Sequence, residues 1–96
     1  MPHKINMPTH VLEKRLYEHE DLVTRELEAY LGRKVLYWRP VFISGDDYPF
    51  TDPIIGNYYP VIRARVVGGV RDVALIKLRR VMTTLGIGYL GLLKQA

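Results

Sequence analysis

The 96-residue chain contains no cysteine, which excludes a disulfide framework and the thiolate sites of zinc-finger domains. Serine is nearly as scarce, with Ser44 the single example. A nucleophile–histidine arrangement would have to set Ser44 beside His3, His10 or His19 with a carboxylate orienting the ring. Nothing in the local spacing provides that. His10 and His19 are nine residues apart in one helical segment, about 180° around its axis, so they cannot share a metal ion within one molecule. No apolar run approaches the ~20 residues that span a bilayer. The nearest, residues 81–93, is broken by three glycines. The opening MPHKINMPTH lacks the apolar stretch of a secretory signal. The expectation is a protein that is no enzyme, holds no cofactor or metal and meets no membrane, with cytoplasm or virion as compatible locations.

What is present is ordinary globular material, 48% apolar and 25% charged. It is expected to form a tail over residues 1–9 and one domain over 10–96, with a core small enough to favour packing against a partner or another copy. Charge is unevenly spread. Residues 10–32 carry Glu13, Glu18, Glu20, Asp21, Glu26 and Glu28 against Lys14, Arg15 and Arg25, whereas residues 33–96 hold ten Lys or Arg and four Asp. Such polarity draws nucleic acid to the basic part, sets the acidic part of one copy against the basic part of the next, or is neutralised within one molecule.

The pattern of residues 10–31 places Leu12, Leu16, Val23, Leu27, Tyr30 and Leu31 on one face of a helix. Thr9 is its expected N-cap, Gly32 its left-handed C-terminal residue, and Asp21 and Arg25 are an i,i+4 pair. Residues 34–43 and 58–67 are rich in β-branched and aromatic types and read as paired strands. Period two puts Leu36, Trp38, Pro40, Phe42, Tyr58, Ile62, Ala64 and Val66 on one side, and Tyr37, Arg39, Tyr59, Arg63 and Arg65 on the other. Pro40 and Pro60 cannot donate to a ladder, so each strand is expected to have a free edge or a break there. After Gly68 and Gly69, residues 70–85 read as a second helix with Ala74, Leu78, Val81, Met82 and Leu85 on one face, or alternatively as a third strand over 73–79. The fold class is therefore α+β: N-terminal helix, antiparallel hairpin with a long loop, C-terminal helix, and room for a third strand. At the level of topology alone this order resembles the double-stranded RNA-binding domains, but the lysine cluster that opens their last helix has no counterpart here.

Gly86, Gly88 and Gly91 have a spacing associated with dinucleotide binding, yet the preceding segment reads as helix and no acidic residue follows. Gly86 is expected to end a helix, leaving Tyr89, Leu90, Leu92 and Leu93 as an apolar tail. Asp46, Asp47 and Asp52 fit no calcium loop and read as turn formers. The loop 44–57 is long for a hairpin and carries Tyr48, Phe50, Ile54 and Ile55, apolar side chains suited to a contact. The functional expectation is a structural or assembly subunit, a homo-oligomer or part of a larger assembly such as a virion. Its contacts would be the acidic helix at Glu18 and Asp21, the loop residues Tyr48, Phe50, Ile54 and Ile55, and the tail residues Tyr89, Leu92 and Leu93. The alternative is a nucleic-acid-binding module, with Tyr37 and Tyr59 stacking on bases and Arg39, Arg63 and Arg65 meeting phosphates.

Overall fold

In the computed structural model, which describes residues 5–6, 8–44 and 57–87, the segment expected as one helix is two: α1 (Thr9–Glu18) and α2 (Glu20–Leu31). The interruption has a local cause. The His19 backbone N–H donates to the Leu16 carbonyl at 3.1 Å, one residue short of the α-helical partner, and the carbonyl it forsakes, that of Arg15, lies 3.0 Å from His19 Nδ1. A carbonyl only accepts, so the ring proton sits on Nδ1. The seven-residue step from Leu16 to Val23 carries the apolar face across the junction, and Leu12, Leu16, Val23 and Leu27 are all buried. Tyr30 is 54% exposed instead. Thr9 is the first helical residue, not the cap; the Pro8 carbonyl accepts from Val11 and Leu12. Gly32 closes α2 with φ 71° and its N–H on the Glu28 carbonyl, as expected. Arg25 donates to the Asp21 backbone carbonyl at 3.4 Å, not to its carboxylate.

Four strands form an antiparallel sheet among the described residues: β1 (Ile5–Asn6), β2 (Val35–Ser44), β3 (Asn57–Val66) and β4 (Gly69–Ala74). β3 is central. It pairs with β2 along one side, and with β1 and β4 at opposite ends of the other. β1 falls in the segment expected as a tail.

The expected second helix is corrected. β3 turns back through Val67 and Gly68 into β4, and Gly68 supplies the φ of 94° that the second turn position requires. Residues 70–74 continue as strand because each inner residue pairs with β3. β4 ends at Ala74, opposite Val61. One step further its partner would be Pro60, which has no N–H to give. The chain leaves the sheet there as a 3₁₀ turn (Leu75–Lys77) and then α3 (Arg79–Thr84). The alternative strand over 73–79 is therefore displaced as well. Leu78, Val81, Met82 and Leu85 are buried as expected. Gly86, with φ 81°, ends α3, and Ile87 N–H reaches back to the Met82 carbonyl at 2.8 Å in a Schellman arrangement. Gly88 and Gly91 lie outside the described residues.

One hydrophobic cluster joins the helices to the inner sheet face, where Trp38, Ile62, Ala64, Val66 and Val73 meet Leu12, Leu16, Val23, Leu27, Leu75 and Met82. α2 is fixed to β2 by polar contacts: Trp38 Nε1 donates to Thr24 Oγ1 at 2.9 Å, and the Val35 N–H to Glu28 Oε2 at 2.9 Å. Tyr17 of α1 stacks on the Trp38 ring at 5.0 Å. Arg15 Nη1 donates to the Leu85 carbonyl at 3.2 Å, binding α1 to the end of α3.

Candidate interaction surface

Strand register determines what the other face of the sheet presents. Val35 pairs with Val66 and Tyr37 with Arg65, so Leu36 is an inserted bulge residue. The bulge removes Leu36 from the inner set, where Val35 takes its place, and leaves Leu36 53% exposed. Beyond it the alternation is regular. Tyr37, Arg65 and Val70 stand in one row across β2, β3 and β4; Arg39, Arg63 and Asp72 in the next; Val41, Val61 and Ala74 in the third.

The helices pack on the inner face, so the first two rows are not covered by the acidic helices of the same chain. Tyr37 is 61% exposed, and Val70, Arg39 and Arg65 are exposed with it. Tyr37, Arg39, Arg63, Arg65 and Val70 line a shallow depression of about 180 Å³. The three arginines are not equivalent. Arg63 holds Asp72 in a two-point contact, Nε to Oδ1 at 2.8 Å and Nη2 to Oδ2 at 3.0 Å. That hydrogen bond keeps the Asp72 carboxyl below its ordinary range, although burial pulls the other way, and holds the Arg63 guanidinium above its own. Arg39 and Arg65 make no hydrogen bond or ion pair among the described residues, and Arg39 stands directly opposite Arg63. Like charges in paired positions oppose sheet formation, and the single carboxylate of Asp72 offsets only part of this.

The sequence brings Tyr37, Arg39, Arg63 and Arg65 to one face, and the register confirms that grouping. Tyr59 shares their parity opposite Ile43, but its side chain is not among those described. Val70 and Asp72 were missed because residues 70–85 read as helix. The signal for them was the Gly68–Gly69 turn followed by an alternation that sets Val70 and Asp72 against Arg71 and Val73.

No family model, curated protein or solved structure matches the chain.

Glu18 and Asp21 are both exposed, on either side of the α1–α2 junction. With Tyr17, His19, Glu20 and Leu22 they border a second, more open depression of about 400 Å³. Burial first, then the carboxylates of Glu13 and Glu20, raise the Tyr17 phenol above its ordinary pKa. The expected loop contacts Tyr48, Phe50, Ile54 and Ile55, the aspartates Asp46, Asp47 and Asp52, and the tail residues Tyr89, Leu90, Leu92 and Leu93 lie outside the described residues. Among the described residues no group of three or more His, Asp or Glu is placed to hold a metal ion, and no helix is long and apolar enough to cross a membrane.

Proposed function

We propose that the protein is a non-enzymatic assembly subunit that binds a protein partner through the outer face of its sheet. The observation that carries this reading is the mixture on that face. Arg39 and Arg65, which make no hydrogen bond among the described residues, alternate with exposed Tyr37 and Val70, and exposed Leu36 and Val67 lie at the same end of the sheet. Aliphatic and aromatic side chains set among arginines are the composition of protein interfaces. A phosphate backbone has no use for Leu36, Val67 or Val70.

Sedimentation velocity over a range of concentrations tests the reading. Wild type self-associates with rising concentration, and the Tyr37→Ser, Val70→Ser variant stays monomeric with unchanged circular dichroism. A monomer at every concentration counts against the proposal.

The second reading, a nucleic-acid module, has one observation in its favour: Tyr37 stands between two guanidinium groups that make no hydrogen bond among the described residues, the arrangement that stacks a base and meets phosphates. It requires a monomer that binds oligonucleotides with affinity falling by about one logarithmic unit per phosphate contact for each tenfold rise in salt.

A further inference from the structure

We propose that the occupant of the outer sheet face is the acidic α1–α2 junction of a second copy of this chain. The inference rests on the assembly reading and names its partner.

Three observations meet. The outer face sets Arg39, Arg63 and Arg65 against the single carboxylate of Asp72, with Arg39 and Arg63 in directly paired positions. An anionic partner relieves that repulsion. The junction has the opposite imbalance: Glu18, Glu20 and Asp21 fall within four residues, all exposed, and none of their side chains makes an ion pair or hydrogen bond among the described residues. Glu18 is also the last residue of α1, where the helix dipole disfavours a negative charge. Glu20 and Asp21 stand in the first turn of α2, where the dipole favours them, and none of the three carboxylates has an ion-pair partner among the described residues.

The break at His19 sets these carboxylates around a shallow depression between α1 and α2. Tyr17 and Leu22 add apolar area to its border, as Tyr37 and Val70 do to the outer face. Among the described residues no ion pair joins the two surfaces within one molecule.

Charge reversal on each surface tests the contact. Arg39→Glu with Arg65→Glu inverts the sheet face, and Glu18→Lys with Asp21→Lys inverts the junction. Each double variant alone, studied by sedimentation velocity at low salt, loses self-association by roughly ten-fold or more. An equimolar mixture of the two regains it, because each supplies the surface the other lacks. The chain carrying all four substitutions regains it as well. These changes are at exposed positions, and circular dichroism checks that each variant is folded.

If reversal of the sheet face abolishes association while reversal of the junction leaves it intact, the inference is overturned and the assembly reading stands, with the sheet faces meeting each other or another surface. If neither reversal alters association, or the mixture fails to regain it, the inference is equally overturned. Wild type that is monomeric at every concentration overturns the inference and the assembly reading together.

Discussion

The Tyr58 hydroxyl is buried without a hydrogen-bond partner among the described residues, on a side chain only 3% exposed whose ring meets the edge of Phe42 at 5.1 Å. Burial pushes its pKa up to about 12. The protonated phenol is the neutral form, so the folded state holds this proton more tightly than the unfolded chain does. Stability is therefore fully present below the unfolded value near 10 and is lost as pH rises through the folded value. Two pKa units correspond to about 3 kcal/mol. We expect Tyr58→Phe to match or exceed wild type at pH 8, by up to ~1 kcal/mol, since it removes a polar group that gains nothing from burial. The variant also loses less stability at alkaline pH. Urea denaturation of both proteins at pH 8 and pH 11 checks the two statements. Equal alkaline losses would remove Tyr58 from the account. Sequence places Arg39, Arg63 and Arg65 on one face as equals, and only the pairing of β3 with β4 shows that Arg63 is engaged by Asp72.

Among the elements, the first helical segment and the two long strands were legible because their patterns are long. Leu12, Leu16, Val23 and Leu27 keep phase over four turns, and Trp38, Ile62 and Ala64 keep period two. The break at His19 was not legible, because it arises from a side chain competing for a backbone carbonyl and leaves the apolar phase intact. β4 was misread because Val73, Ala74, Leu75, Ile76 and Leu78 supply apolar residues at both periods. What decides between them is tertiary: residues 69–74 have a partner strand, and the pairing stops opposite Pro60. The candidate face was half legible, since the β2 and β3 residues follow from alternation whereas Val70 and Asp72 depend on β4. The bond between Trp38 and Thr24 offers a test of how the elements are held together. Thr24→Val leaves the indole N–H of a buried tryptophan without its acceptor and is expected to cost about 1–3 kcal/mol, whereas Thr24→Ser retains most of the stability. Urea midpoints for the two variants measure this, and equal midpoints would show that the bond contributes nothing.

For the whole molecule, the arrangement is a sheet with helices on one side and a basic, partly apolar face on the other. Asp72 tempers that face. Its ion pair with Arg63 is about half exposed, so Asp72→Asn should change stability by less than ~1 kcal/mol. It should nevertheless strengthen association at low salt, by releasing Arg63 as a further cation, and the gain should fade as salt screens exposed charge. Sedimentation of the variant against wild type at two ionic strengths decides this; weaker association at low salt would mean that the paired Asp72 is itself a contact. The two sheet prolines bear on the proposed association. Hydrogen-bonded and open pairs alternate along an antiparallel ladder, and Pro40 opposite Ile62 and Pro60 opposite Phe42 are two steps apart, both suited to open positions. Each proline ring therefore replaces an N–H that would point away from the β2–β3 ladder: outward at β2, and into the gap between β1 and β4 at β3. The first of these lies on the outer edge of β2, where a foreign strand could add to the sheet; the second lies in a two-residue gap already flanked by β1 and β4. If copies of this protein meet as proposed, Pro40 favours contact by side chains on the sheet face over backbone pairing along the β2 edge, the kind of templating that leads to amyloid.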